Sequence, residues 1–228
     1  MNIGDFIANL GIALQAIGWV FLPILLLPLF YLFPPNFSIL QSISKAIIRT
    51  IDSLSFGIGE IAKWLLPLLV LVVAFTVFAL SIFGQSWTKL FESAEYLHAS
   101  VIMLGAAATL LAGQHVRVDV FHSQMTAKAR ALVDFIGFYA LLLPVCLIIL
   151  WKSQSFISFA WRIFEGSSEA DGIRGEFLLK TLIPTFALMM ILQGLAITLR
   201  AAMCLSEHKR PERTAHTPEF FEEQELEH

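Results

Sequence analysis

The segment Gly113–Phe121, which reads GQHVRVDVF, carries the side chains in this chain best suited to polar chemistry. His115, Arg117 and Asp119 alternate there with valines, directly after the apolar run LGAAATLLAG. An arginine in this position could bind a lipid phosphate or a carboxylate, and Asp119 could pair with it or cap the structure that follows. Because charges between apolar runs usually determine membrane topology, the favoured interpretation is a charged turn that joins two membrane helices.

Histidines and cysteines are the other residues whose chemistry could carry a function. A membrane-bound haem needs axial ligands, commonly histidines that face each other inside a bundle. His98 is the one histidine inside an apolar run, while His115 and His122 belong to the connecting segment. Cys146 and Cys204 lie in or beside apolar runs without metal-site or redox spacing. With no nucleophile motif, metal cluster or phosphate-binding loop, the sequence predicts a protein that is not an enzyme and holds no metal or cofactor.

The composition indicates that the elements carrying these residues lie in a membrane. Hydrophobic residues make up 57% of the 228 positions and charged residues 14%, whereas a soluble domain carries roughly 25% charged residues. A span needs about 20 apolar residues of helix. Four runs meet that length: Trp64–Gly84, Tyr96–Gly113, Leu132–Trp151 and Phe177–Leu199. Ser123 or Thr126 is expected to begin the helix that leads into the third run.

Three further segments complete the predicted organisation. The charge-free run Phe6–Phe33 contains two prolines and is expected to be an extra spanning or embedded helix, retained because no basic n-region or cleavage pattern marks a signal peptide. Amphipathic stretches around NFSILQSISKAIIRTIDSLSFGIGE and WKSQSFISFAWRIFEG are expected to lie in the interface. The predicted divisions are an N-terminal helix at 1–35, an amphipathic connector at 36–63, a four-helix membrane domain at 64–205 and a disordered polar tail at 206–228.

The connector has a clear helical pattern. Its apolar residues recur at helical spacing, whereas Lys45, Arg49 and Asp52 are expected on the opposite face, toward the lipid headgroups. The apolar positions are Leu40, Ile43, Ile47, Ile51 and Leu54. The pattern fits an amphipathic linker at least as well as a specific docking surface.

Lysine and arginine predict the orientation of the bundle. With five spans, ten basic residues fall on the side of the C-terminus and five on the opposite side. The ten are Lys45, Arg49, Lys63, Arg117, Lys128, Arg130, Arg200, Lys209, Arg210 and Arg213. Because the basic side faces the cytoplasm, the C-terminus is expected inside and the N-terminus outside.

The middle of every apolar run lacks Asp, Glu, Lys and Arg. Ion-coupled carriers usually hold their cargo on intramembrane charges or broken helices, so a self-sufficient transporter is not expected. Gly105, Thr109 and Gly113 are spaced four residues apart and give one helix a face of small residues, which lets another helix approach closely. That neighbour could belong to this chain or to a second protein, and a contact within the chain is the favoured interpretation. Gln193, midway along the last run, is a second candidate for interhelical contact.

The motifs together resemble the DctQ-type small membrane subunit of tripartite ATP-independent periplasmic (TRAP) transporters. The matching elements are LGAAATLLAGQHVRVDVF, ARALVDFIGFYALLLP and LLKTLIPTFALMMILQGLAITLRA, spread over roughly Lys63 to Cys204. Gly113, His115, Val116, Arg117, Val118 and Asp119 match the family's motif in order, as do Lys180 ahead of Pro184 and the pair Gln193-Gly194. The added N-terminal segment and an outer loop without a proline depart from the family pattern.

The resemblance implies a non-catalytic scaffold in a bacterial inner membrane. It would form a heterodimer with a large subunit that carries sodium and substrate, and a periplasmic binding protein would dock transiently to deliver an organic acid. Membrane lipid is a further expected partner, and nucleic acid is not. The implied interface or structural residues are Gly105, Gly113, His115, Arg117, Asp119 and Lys180. A membrane anchor of a redox enzyme and a free-standing carrier are the alternatives.

Overall fold

The computed structural model describes residues 23–31, 38–84, 86–113 and 125–206. These ranges are largely helical and contain no β-strand. The helices are α1 (23–30), α2 (Ser38–Phe83), α3 (Thr88–Leu111), α4 (Ala127–Gly137), α5 (Leu143–Ile163) and α6 (Glu176–Leu205), with a π-helical segment, Phe138–Leu142, between α4 and α5. Within the described ranges, four continuous helical stretches are long and apolar enough to cross a membrane, which confirms the four predicted core spans.

The connector and the first predicted span form one helix. α2 has 46 residues and continues through Pro67. At 1.5 Å per residue it is about 69 Å long, more than twice the hydrocarbon thickness of a bilayer. The two segments differ in polarity and were predicted as separate elements, but the helix continues through Gly57 and Gly59, and no proline separates them. The first span is therefore the C-terminal part of a longer rod.

Helices α2 and α3 form an antiparallel hairpin. The turn begins at Gly84, whose φ of +62° suits glycine, and Phe75 stacks on Trp87 with ring centroids 6.2 Å apart. At the other end the two helices approach so closely that a side chain at Gly59 would clash with the Cβ atom of Ala108. Small residues on both helices permit this contact, because they bring the two backbones together.

The second half of the bundle begins at Thr126, one of the two predicted helix starts. Its hydroxyl caps α4 by accepting a hydrogen bond from the Ala129 N–H at 3.3 Å. Helix α5 continues past the predicted span end at Trp151 to Ile163, so the predicted outer amphipathic stretch belongs largely to this helix. Phe164, the residue that follows Ile163, adopts a left-handed backbone conformation with φ of +48°.

Helix α6 is the central element of the bundle. In its most apolar eighteen-residue stretch 56% of residues are buried, against 6%, 6% and 17% in the other three spanning stretches. Its buried side chains include Leu195, Leu199 and Met203, which pack with Ile48 of α2 and Phe138 of the π-helical segment. The core therefore lies around the last helix, and the other helices expose large apolar side chains outward.

The predicted N-terminal helix is described only at residues 23–31. This segment packs on the bundle: the Tyr139 hydroxyl donates to the Leu25 carbonyl at 2.6 Å, and the Tyr31 hydroxyl donates to Ser44 Oγ at 3.0 Å. The remainder of the predicted helix and the predicted disordered tail beyond Ser206 lie outside the described residues.

Candidate functional site

A buried ion pair joins the first and last long helices. Asp52 of α2 is completely buried and pairs with the Arg200 guanidinium of α6, whose side chain is 31% exposed. The Gln193 side-chain amide, two turns earlier on α6, donates to Asp52 Oδ1 at 3.3 Å. Because a carboxylate is costly to bury without partners, these two contacts favour the observed crossing of α2 and α6, together with the apolar packing of Ile48 on the same helix. We call Asp52, Gln193 and Arg200 the inner cluster.

The position of Asp52 corrects a sequence-based expectation. Asp52 was predicted on the headgroup face beside Lys45 and Arg49, but it lies on the buried face of α2. That buried stripe consists of Ser44, Ile48, Ile51, Asp52 and Ser55. Hydrophobic periodicity does not reveal it, because more than half of its members are polar and Ile43 and Leu54, predicted on the apolar face, remain exposed. The interior of the bundle therefore contains a charged group where α2 crosses α6.

Gln193 behaves as predicted, since it forms an interhelical hydrogen bond. Its neighbour Gly194 has a separate role. A Cβ atom at Gly194 would lie 2.5 Å from Leu142 Cδ2 and 2.7 Å from Phe138 Cδ2, so a larger residue would force these side chains of the π-helical segment to shift. The π-helical segment has a wider turn than an α-helix, and its Phe138 and Leu142 side chains lie against the α6 backbone at Gly194. π-Helical turns often occur at functional positions, which makes this contact a second feature of the site.

Lys180, a predicted site residue, lies near the start of α6 and contacts three other side chains. Its Nζ atom is 2.6 Å from Glu165 Oε2 and 3.2 Å from Glu176 Oε1, and it sits 4.4 Å from the centroid of the Phe156 ring. The Lys180 side chain is only 12% exposed. Lys180 and Arg200 are separated by about 30 Å along α6, which equals the hydrocarbon thickness. These two cations therefore mark the two ends of the span.

The loop between α5 and α6 is tied to α3 by a carboxylate that the sequence pattern did not single out. Glu92 accepts a hydrogen bond from the Ser167 hydroxyl and another from the Ile173 N–H, the latter at 2.5 Å. Lys89, one turn earlier, pairs with Asp171 at 2.8 Å. No local pattern links residues this far apart in sequence, so only the fold reveals the contact. We call Glu92, Ser167 and Ile173 the loop clasp.

Gly105 of the small-residue face of α3 lies against α2 within the chain, whereas Thr109 of the same face is exposed and lines a groove between the two helices. A Cβ atom at Gly105 would lie 4.0 Å from the Ala62 Cβ atom of α2. Gly113 adopts a φ of +66° just beyond the end of α3, a backbone conformation that glycine tolerates without strain. Beside this crossing α2 and α3 form an open, mostly apolar groove of about 710 Å³.

His115, Arg117 and Asp119 lie outside the described residues. Their predicted role in ordering the turn after Gly113 stays a prediction. Among the described residues, no group of three or more His, Cys, Asp or Glu side chains is arranged to hold a metal ion.

The fold and the charged clusters define a multi-pass helical membrane protein whose last helix forms the core. Comparison with known protein families matches residues 69–203 to the family described as tripartite ATP-independent periplasmic transporters, DctQ component. That match covers more than half of the 228 residues, and the chain belongs to this family. It is therefore a small membrane component of a TRAP transporter, a family whose members are transport components rather than enzymes. Searches of curated proteins and of solved structures gave no match.

The family match divides the candidate site. Arg200, Gln193, Gly194, Lys180 and the loop clasp fall within residues 69–203, whereas Asp52 does not. The inner cluster therefore attaches the N-terminal half of α2 to the region that defines the family.

Proposed function

We propose that this chain is a static scaffold subunit that holds the large membrane subunit of the transporter in the bilayer. The observation that carries this proposal is the location of its charges. No Asp, Glu, Lys or Arg occurs between Lys63 and Phe83 or between Lys180 and Arg200. The buried charges at the span ends, Asp52 and Lys180, are neutralised by partners in the same chain. A coupling cation would need uncommitted oxygen ligands near the middle of the membrane.

The distribution of apolar surface supports a scaffold role. The spanning part of α2 exposes Trp64 at 72%, Val70 at 63% and Leu71 at 66%. Helix α5 likewise exposes Trp151, and Leu141 is exposed just before its first turn. A small bundle with its core around one helix leaves long faces for lipid and for another membrane subunit. We propose that the large subunit packs against one of these faces.

The outer loop is the part of the chain suited to meet a soluble partner. The loop clasp and the Lys180 ion pairs hold residues 164–175 against α3 and α6. A preformed loop loses less conformational entropy on binding than a mobile one. We propose that this surface enlarges the platform on which a periplasmic binding protein docks to deliver an organic acid.

The proposed energy source and orientation follow from the family and from the basic residues. A sodium gradient would drive uptake by the large subunit across the bacterial inner membrane, with the C-terminus of this chain in the cytoplasm and its N-terminus in the periplasm. Ten basic residues on the C-terminal side against five on the other support this orientation.

Reconstitution tests the proposal. The chain, its large subunit and its binding protein are placed in proteoliposomes, and uptake of the binding protein's organic-acid ligand is measured with an inward sodium gradient. Uptake is expected with all three components and is expected to fail when any one is omitted. A potassium gradient of equal size is the control for sodium coupling. Uptake by this chain alone, or full uptake without it, would overturn the scaffold role.

A further inference from the structure

The N-terminal half of α2 carries two cations that the fold does not use. Within the described part of the chain, neither Lys45 nor Arg49 forms an ion pair or a hydrogen bond. Arg49 is exposed and Lys45 is half-buried. They are four residues apart, so they lie on the same side of the helix, one turn from each other.

Because Asp52 is buried in the core, the side of α2 that carries Lys45 and Arg49 has no acidic residue to neutralise them. Asp52 is the one acidic residue between Ser38 and Gly59, and Arg200 neutralises it in the interior. Glu60, the next acid, is engaged by Lys63 at 2.6 Å. The Lys45–Arg49 face therefore keeps a charge of two positive units, and the fold itself removes the carboxylate that the sequence offers as its partner.

The exposed surface of this half of α2 has an apolar flank and a basic flank, on opposite sides of the buried stripe. The buried stripe through Ser44, Ile48 and Ser55 faces the bundle. On one flank of this stripe are Ile43, Leu54 and Ile61, exposed at 47%, 45% and 64%. At about 100° per residue, Lys45 and Arg49 lie on the other flank, roughly half a turn from these apolar side chains. One flank thus suits acyl chains and the opposite flank suits an aqueous, anionic layer.

The length of α2 explains why this half meets the membrane surface. An upright helix of about 69 Å would extend far beyond a hydrocarbon core of about 30 Å. The apolar run after Lys63 fills one hydrocarbon thickness, so the half that carries Lys45 and Arg49 lies at or beyond the membrane boundary. The contact of Asp52 with Arg200 and Gln193 keeps that half close to the end of the α6 span rather than projecting away from it.

We propose that Lys45 and Arg49 form a binding site for the phosphate of an anionic phospholipid, with the Ile43–Leu54–Ile61 flank resting on its acyl chains. The two cations approach the phosphate from one side, and the buried stripe keeps the helix in the orientation that presents them. This inference concerns lipid recognition and does not depend on the proposed transport function.

The test uses the purified full-length chain in a neutral detergent. Dioctanoyl phosphatidylglycerol is titrated in, and the rise in Tm gives an apparent Kd. Arg49→Gln is expected to weaken binding about fivefold, and the double variant Lys45→Gln/Arg49→Gln about 25-fold. Each lysine or arginine near an anionic surface contributes about 1 kcal/mol of binding free energy, which corresponds to about fivefold in Kd. The charge-preserving variant Lys45→Arg/Arg49→Lys should bind like the parent.

The matched control is Lys152→Gln/Arg162→Gln, which removes two cations from α5. If the phosphate binds at Lys45 and Arg49, this control should change the apparent Kd by less than about twofold. A general effect of net charge would instead weaken binding equally in both double variants. Dioctanoyl phosphatidylcholine and inorganic phosphate are the ligand controls, and both should bind far more weakly than phosphatidylglycerol. Equal losses in the two double variants, an unchanged Kd in Arg49→Gln, or equal binding of inorganic phosphate would overturn the site. Arg49 is exposed, so its single variant folds even if the double variant does not.

Discussion

Asp52 and Arg200 are 148 positions apart in the sequence and form an ion pair at the crossing of the first and last long helices. The pair links a segment outside the family match to the helix that forms the core. Its carboxylate is fully buried and its guanidinium is partly exposed, so the aspartate depends more on the arginine than the reverse. Loss of the arginine should therefore be costly.

Arg200→Met is expected to lower the free energy of unfolding by about 3 kcal/mol, because it leaves a buried carboxylate without its charge partner. Asp52→Leu/Arg200→Met should lose less than the sum of the two single changes, since it removes both charges together. Denaturation of the four proteins of this double-mutant cycle in detergent gives the coupling energy. Strict additivity would mean that the two groups do not interact in solution.

Gly194→Ala is expected to destabilise the chain by about 1–3 kcal/mol, because the new methyl group would overlap Phe138 and Leu142 of the π-helical segment. Gly57→Ala is the matched control: a methyl group added there would have no neighbouring atom within 4 Å, and an exposed helical alanine stabilises by about 0.5–1 kcal/mol. Thermal unfolding monitored by circular dichroism measures both variants. The prediction fails if the two substitutions shift Tm in the same direction.

Glu92→Gln is expected to loosen the outer loop, because a neutral amide replaces the carboxylate that accepts from Ser167 and Ile173. Trypsin cleavage after the exposed Arg174 should become about tenfold faster, the consequence of weakening two charge-assisted hydrogen bonds. Glu95→Gln, one turn further along α3 on an exposed side chain, should leave the cleavage rate unchanged. Equal rates in all three proteins would show that Glu92 does not restrain the loop.

Arg117→Ala/Asp119→Ala is expected to reduce both co-purification with the large subunit and substrate uptake. These residues follow directly after the small-residue face of α3, and the sequence predicts that they order the turn beyond Gly113. Lys209→Ala/Arg210→Ala removes charge from the same predicted side of the membrane and is the control. Parental values in both assays would contradict the predicted role.

Composition was enough to predict the spans, since a bilayer requires long apolar helices wherever they occur along the chain. Charge position marks the ends of the α6 span, since Lys180 and Arg200 lie about 30 Å apart along it, but the helices of the first and third spans continue beyond their predicted ends. Gln193 was recognisable because a polar amide in mid-span needs an interhelical partner. These features depend on local sequence alone.

The remaining contacts depend on which helices meet. Asp52 resembled a solvated residue beside Lys45 and Arg49, and only the approach of α6 turns it inward. The role of Glu92 likewise depends on a loop about 80 residues later. Gly194 was noted only in the Gln193-Gly194 match to the family pattern, and its close packing could not be predicted, because that contact depends on how the π-helical segment lies against α6.

The central position of α6 has a consequence for biosynthesis. The ribosome makes α6 after the other described helices, so Asp52 and Glu165 are synthesised before Arg200 and Lys180 exist to neutralise them. The contacts that α2, α3, α4 and α5 make with α6 can form only after the C-terminal segment has been inserted, whereas the α2–α3 hairpin does not need it. A nascent chain that stops short of Arg200 would keep an orphaned carboxylate, a feature by which a membrane protease could distinguish an unfinished subunit from a finished one.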